Sequence, residues 1–269
     1  MRGPDPDWLV TLAPWAMVLT FVVLAIAETR FGARADPASG LRRPATNLLL
    51  GVLTLLVAAL LPVGLVGFAA AVAADAKAPW PLPPMSFLPA VAAALLLRTL
   101  AAYWAHRASH RIGWLWRLHR VHHSDTAIDA TTGFRHHPLE QLVPFAFALV
   151  PIWLFGLPPA AVALAEIVLL VAGLAEHANV RTDGGLWRHA ARLFVTPAVH
   201  LVHHSSRPVQ TDSNFGPFLT LWDRLFGTWR APDAERVETL GLGPAYDRDA
   251  DRWGRQLLSP FVREAPPGG

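Results

Sequence analysis

Cysteine is absent from the 269 residues. This excludes disulfides, thiolate metal sites and cysteine nucleophiles, and leaves only nitrogen and oxygen donors for any metal. Charge is scarce. Asp, Glu, Lys and Arg make up 16% of the chain against 53% hydrophobic residues, with a mean hydropathy of +0.33, where a soluble domain carries about 25% charged residues. A chain of this length would ordinarily form one or two soluble domains, but this composition points to an integral membrane protein. No H-E-x-x-H occurs, which disfavours a zinc metalloprotease, and no G-x-G-x-x-G follows a strand, which excludes a dinucleotide fold. A cleavable leader is not convincing either. Met1 to Asp7 carries Asp5 and Asp7 in place of a basic stretch, and the apolar block that follows is too long for a signal core, so it reads as a retained anchor.

Apolar residues gather in blocks at Trp8–Ala27, Leu48–Ala74, Phe87–Tyr103, Leu142–Phe155 and Pro158–Leu174. Blocks near 20 residues cross a hydrocarbon core of about 30 Å as helices; the fourth, with Pro144 and Pro151 inside it, is marginal. The last two blocks are expected to form a hairpin around Gly156, Leu157, Pro158 and Pro159. The fold class expected is all-α and integral to the membrane, with four or five hydrophobic helices and a cytoplasmic histidine-rich cap. Arg30, Arg34, Arg42 and Arg43 crowd the loop after the first block, whereas Asp75–Pro84 holds only Lys77, which places the first loop in the cytoplasm and the N-terminus outside. Arg107, Arg111, Arg117 and Arg120, and later Arg181, Arg188, Arg192 and Arg207, fall on that same side. The net charge of +3 and pI near 10.1 do not indicate nucleic acid: the arginines flank apolar spans and histidines, with no lysine-rich tail or aromatic-basic repeat. Three regions follow: 1–100, N-terminal spans and loops; 101–230, histidine segments interleaved with a membrane hairpin; 231–269, a polar tail whose end, Ala265–Gly269, is expected to be disordered.

Histidine is what the chain has in excess. His106-x3-His110 is followed by His119-x2-His122-His123 and, much later, by His200-x2-His203-His204. With 12 histidines, chance supplies an H-x2-H-H roughly 0.02 times per chain, so two copies are not an accident of composition. Residues three and four apart share a helix face, so each cluster aims two or three imidazoles at one point. Alone, H-x3-H is more often a pair of solvated residues; together with the other clusters it reads as part of a cage. His122 and His123 point about 100° apart on a helix, which suits two neighbouring metals better than one. His119-Arg-Val-His-His-Ser matches His200-Leu-Val-His-His-Ser at all positions but the second, too short a match to establish duplication. His137, before Pro138 and Glu140, is either a helix start or a ligand, and His136 is the weaker candidate. His177, beside Asn179 at the end of the last block, is a further site candidate, and His189 reads as surface. Imidazole ligation suits iron, zinc, copper or nickel rather than calcium or magnesium. Eight or more histidines suffice for two metals with open positions, and open positions imply catalysis. The setting implies a lipid substrate entering from the bilayer, and dioxygen activation is the chemistry there that most needs two redox metals.

The order His106-x3-His110, His119-x2-His122-His123, His137-Pro-Leu-Glu140, His177-x-Asn179 and His200-x2-His203-His204, with Asn214-Phe-Gly and Leu221-Trp-Asp-Arg-Leu-Phe-Gly-Thr228, resembles the fatty acid hydroxylase/sterol desaturase superfamily over roughly residues 95–230. The resemblance implies two iron ions, O2 as co-substrate, and electrons from an external ferredoxin or cytochrome b5 type donor with its reductase. It implies hydroxylation, or desaturation, of an unactivated C–H position in a fatty acyl, sterol or carotenoid-type lipid. His106, His110, His119, His122, His123, His200, His203 and His204 would carry the catalysis, with His137 and His177 as further metal ligands, and Glu140, Glu176 and Asp212 would orient imidazoles. One position departs. Some members have H-x3-H where this chain has His177 and then Arg181, so either His137 or water fills that place. Two other classes compete, a b-type haem protein and a histidine-rich metal transporter. The first needs paired histidines inside spans and the second polar residues at mid-membrane, where only Arg98 and Glu166 occur.

Overall fold

The long apolar runs become the long helices. The computed structural model describes residues 4–34, 40–60, 64–75, 77–182, 184–232 and 235–262. It is all-helical, and extended pairing among the described residues is limited to isolated bridges such as Gly32 with Val180. Helix α1 spans Pro6–Phe31; the Asp5 carboxylate accepts the Asp7 N–H at 2.9 Å and Pro6 opens the first turn. Only Leu9 of α1 is buried, and Trp15, Leu19 and Ile26 face outward, as expected for a helix bathed in hydrocarbon. Three other helices are long and apolar enough to cross a membrane: α4 (Phe87–Arg111), the turn Pro138–Gln141 continuing into α6 (Leu142–Phe155), and α7 (Pro159–Glu176). At 1.5 Å per residue the shorter ones reach about 27 Å.

The block at Leu48–Ala74 is not one continuous span. It divides into α2 (Arg42–Ala59) and α3 (Leu65–Asp75). Pro62 falls between them in the sequence, and a proline inside a helix removes a hydrogen bond and clashes with the preceding turn; residues 61–63 lie outside those described. The start of α2 is polar and buried. Arg43 pairs with Asp125 at 3.0 Å, and Asn47 Nδ2 donates to the same carboxylate at 2.8 Å. Small residues let α3, α4, α6 and α7 approach closely, with Ala69, Ala94, Ile152, Ala161 and Ala165 fully or almost fully buried in one cluster.

Gly156 ends α6 with φ +60°, a conformation that favours glycine, and Pro158 and Pro159 start α7, so the expected hairpin forms. Its tip is held to the α3–α4 connection: the Trp80 and Leu82 N–H groups donate to Leu154 and Phe155 carbonyls at 2.9 and 3.0 Å. At the opposite end, Arg181 N–H donates to Phe31 O at 3.1 Å, and the Asn179 side chain exchanges two 3.0 Å bonds with the Arg34 backbone. That end also carries α5 (Gly113–His123), α8 (Gly185–Ala190), α9 (Pro197–His203), α10 (Pro208–Thr211) and α11 (Leu221–Leu225). The later helices α12 (Pro244–Asp247) and α13 (Trp253–Leu258) fold back onto this cap, where Gln256 accepts from Ser124 Oγ at 2.8 Å and Asp251 O from Thr46 Oγ1 at 2.7 Å. The stretch Ala265–Gly269, expected to be disordered, lies outside the described residues.

Candidate metal centre

Helix α4 carries His106 and His110 one turn apart just before its end, and after Ile112 the chain doubles back as α5, bringing His119 and His123 against them. Thr196 and Pro197 open α9, which presents His200 and His203, with His204 at its C-cap. His177 caps the end of α7. Nine imidazoles thereby converge as two groups: His106, His110, His119, His123 and His203, and His122, His177, His200 and His204, with the donor atoms of each group within 4.8 Å of one another. Each His-His pair is divided. His122 and His204 join one group, His123 and His203 the other, which is the geometric consequence of neighbouring residues pointing about 100° apart. Within the groups, Nε2 atoms approach to 3.1 Å (His106–His119, His110–His123, His122–His177) and 3.0 Å (His177–His200, His200–His204). For metal–imidazole bonds of about 2.0–2.1 Å, donors at right angles lie about 3.0 Å apart and tetrahedral donors about 3.4 Å.

The outward nitrogens fix the protons. His106 Nδ1 meets Phe215 O at 2.9 Å, His122 Nδ1 meets Arg135 O at 3.0 Å, His203 Nδ1 meets Ser213 O at 2.8 Å, and His177 Nδ1 meets Gly173 O. His119 Nδ1 meets Glu140 Oε1 at 2.6 Å. A carbonyl or carboxylate can only accept, so each Nδ1 carries a hydrogen, and in the neutral ring the lone pair is then on Nε2. His106 with His119, and His122 with His177, then face each other lone pair to lone pair at 3.1 Å, an arrangement that a shared cation stabilises and nothing else in the site does. His203 Nε2 has no hydrogen-bond partner among the described residues. Burial pushes the pKa of His122, His123, His200, His203 and His204 well below the usual range, and that of His177 to about 3, so these rings are neutral at pH 7, the form that binds metal. Neutral imidazole without thiolate fits iron, copper, zinc or nickel.

The family described as Fatty acid hydroxylase matches residues 91–228, which includes all nine of these histidines. The chain belongs to the fatty acid hydroxylase superfamily. Its similarities within this superfamily include ornithine lipid hydroxylase OlsE of Rhizobium tropici, 31% identical over 181 residues that cover 67% of this chain and 52% of that protein. Alkylglycerol monooxygenase of Danio rerio is 33% identical over 135 residues, 50% of this chain and 29% of the relative. A Delta(7)-sterol 5(6)-desaturase of Leptosphaeria maculans is 28% identical over 144 residues, 51% of this chain and 35% of the relative. The chain thus spans from about a third to half the length of these relatives. No solved structure matches it.

Against the superfamily pattern, the second histidine group has four members and the first has five. Arg181, which stands where some members have a histidine, is exposed. The structure does not bring His137 to either group: its Nδ1 accepts the Leu139 N–H and its Nε2 bonds Leu257 O, both at 3.2 Å, so it caps the Pro138 turn. His136, the weaker candidate in the sequence, lies nearer. It stacks on His122 with ring centroids 4.4 Å apart and shares Glu140 with His119. Asp212 sits 3.4 Å from His110 Nδ1, whereas Glu176 Oε1 lies 3.9 Å from His200 Nε2. His189 is exposed, and Asn179 serves the α1 attachment rather than the histidines.

Sequence reading missed Arg135, which is fully buried. Its guanidinium donates to Val121 O, Asn47 Oδ1, Ser124 Oγ and Ala250 O at 2.8 Å each, while its own carbonyl takes the His122 proton. Asp223 is the second brace. It accepts from the Phe215 and Gly216 N–H groups at 2.8 Å and from Thr228 Oγ1 at 2.7 Å, fixing the carbonyl that holds His106. Both lie in segments whose motif was visible, but a buried charge is recognised only once its partners are assembled. On the membrane side of the histidines, a cavity of about 380 Å³ opens among Thr54, Leu55, Ala102, Pro144, Leu170 and Leu174, with His106, His119, His122 and His177 in its wall. Such a cavity is of ligand size.

Proposed function

We propose that this chain is a membrane-bound, O2-dependent lipid hydroxylase with a histidine-ligated di-iron centre. The observation that carries the reading is the sorting of nine imidazoles into two groups, five of them held by carbonyl or carboxylate acceptors at Nδ1 so that Nε2 is the donor atom turned toward the group. His106, His110, His119, His123 and His203 would hold one iron and His122, His177, His200 and His204 the other. The chemistry such a centre supplies is reductive activation of dioxygen: one oxygen atom enters an unactivated C–H bond, and the other leaves as water with two electrons and two protons from outside.

The chain's own residues do the rest. Phe215, Arg135, Ser213 and Gly173 carbonyls and the Glu140 carboxylate hold five rings in the ligating tautomer. Apolar walls from α2, α4, α6 and α7 receive the hydrocarbon and exclude water from the reacting carbon. The hydroxylase, monooxygenase and desaturase names of the relatives support lipid oxidation as the class. A ferredoxin or cytochrome b5 type donor with its reductase would supply the electrons; the sequence given contains no cysteine for a cluster and no dinucleotide motif. An acidic donor fits the arginines at 107, 111, 117, 188 and 192, and their excess at the histidine end supports a cytoplasmic location for the cap.

The test uses the full chain in lipid vesicles with candidate lipids, the donor system and isotopically labelled dioxygen. Labelled hydroxyl in the product, dependent on the donor, is expected. A product that has lost two hydrogens without gaining label would replace hydroxylation by desaturation, and turnover without reductant would overturn the oxygenase reading.

A further inference from the structure

Between α4 and α7, near the middle of two membrane-length helices, Arg98 and Glu166 form an ion pair, with Nε–Oε1 at 2.6 Å and Nη2–Oε2 at 3.2 Å. The two sides of the pair are not equivalent. The Arg98 side chain is 5% exposed and that of Glu166 32%, and Arg98 Nη1 is buried with no hydrogen-bond partner among the described residues. Both residues line a cavity of about 730 Å³. That cavity shares Ala102, Pro144, Leu169 and Leu170 with the smaller one against the histidines, so the two adjoin. A charged pair at this depth is costly in hydrocarbon and, when it faces a cavity, marks a binding site rather than a packing contact. A buried donor left without an acceptor is equally costly.

We propose that Arg98 and Glu166 form a polar subsite that binds the hydroxyl of an uncharged lipid alcohol, at the far end of the cavity from the histidines. The pair is neutral as a unit, and Glu166 repels a carboxylate or phosphate. A hydroxyl matches both halves: its oxygen accepts from Arg98 Nη1–H, and its O–H donates to a Glu166 oxygen. The pair also sets a distance. Arg98 and His106 are on one helix, and their eight-residue separation corresponds to about 12 Å along the axis. A zigzag chain with C–C bonds of about 1.5 Å covers that length in roughly ten bonds. The inference rests on the hydroxylase reading only for what happens at the other end of that chain; the subsite itself is independent of it.

The experiment therefore reads binding, not turnover. Purified full chain in detergent is loaded with radiolabelled hexadecan-1-ol, and unlabelled hexadecan-1-ol, hexadecanoate and hexadecane compete for it. In the unaltered protein the alcohol should compete about tenfold better than either of the others, as expected for one hydrogen-bonded group. Glu166→Gln, which leaves Arg98 without its counter-charge, should turn the preference toward hexadecanoate. Arg98→Gln combined with Glu166→Gln should bring alcohol and alkane to within about twofold. Should that double variant fail to fold, probe selectivity in the unaltered protein and in Glu166→Gln still decides. Equal competition by alkane or acid in the unaltered protein, or an alcohol preference that survives the double variant, would mean that the ion pair only ties α4 to α7. Metal content of the same samples is measured in parallel, so a loss of the di-iron reading and a loss of the subsite are separately visible.

Discussion

His203 keeps its only hydrogen on Nδ1, against Ser213 O, and its Nε2, within the five-histidine group, has no hydrogen-bond partner among the described residues. The same division of labour recurs at His119, where Glu140 is the acceptor. Glu140→Gln keeps the size of that acceptor but removes its charge and weakens its hold on the tautomer. Metal affinity of the five-histidine group should fall about 10–100-fold, measured as chelator-dependent metal loss. His177→Ala removes a donor from the four-histidine group and should release one metal. His137→Ala should keep both and cost only about 1 kcal/mol for the lost turn cap. The acid side follows from His177. Its pKa of about 3 lies below the ordinary 6.5, so between those values the unfolded chain binds a proton that the folded one does not. Stability of the metal-free protein should therefore be undiminished above about pH 6.5 and decline as the pH falls toward 3. A thermal melt that stays flat across that interval would contradict the burial of neutral rings.

At the scale of elements, α5 and α9 with its C-cap each deliver two rings to one group and the third to the other, so that adjacent histidines are divided. This was legible beforehand, because the 100° step between neighbours is a property of any helix. So were the four apolar spans and the hairpin at Gly156. What was not legible was the support. Arg135 binds Asn47 of α2, Val121 and Ser124 at the end of α5, and Ala250 between α12 and α13, and no local spacing announces a contact between residues 47, 135 and 250. The single span expected at Leu48–Ala74 divides into α2 and α3, with Pro62 between them in the sequence, and the buried polar start of α2 at Arg43 and Asn47 was not legible from the apolar block that follows it. His137 and Asn179 were attractive because of their neighbours in sequence, yet each satisfies a backbone end. Arg135→Met would leave several buried acceptors without a donor and should destabilise the fold by about 1–3 kcal/mol for each one left unsatisfied. Gly216→Ala should be nearly as poorly tolerated, since a Cβ there would lie 2.5 Å from Leu219 O and 2.9 Å from Asp223 Oδ2, an overpacking worth about 1–3 kcal/mol. Denaturation midpoints of both variants check these values.

On the scale of the whole molecule, the loop after α1, the α4–α5 join and the segment after α7 gather at one end, and the hairpin tip with the α3–α4 connection at the other. In a bilayer these ends face opposite compartments. Because the chain has no cysteine, single introduced thiols report the sides without background. Leu186→Cys, at a residue 82% exposed in α8, and Lys77→Cys, whose native side chain is 80% exposed, should react from opposite faces of sealed vesicles; labelling of both from one face would refute the arrangement. The two faces matter because, in the proposed reaction, a lipid would reach the histidines through the cavity among the apolar helices and electrons would arrive at the cap. All of this presupposes that the two histidine groups are two metal sites. The direct test is iron per chain after anaerobic reconstitution, with an optical spectrum of the same sample. The account predicts two irons per chain, about one in His177→Ala, and no Soret band. A single iron in the unaltered chain, an unchanged value in the variant, or a haem spectrum would contradict it.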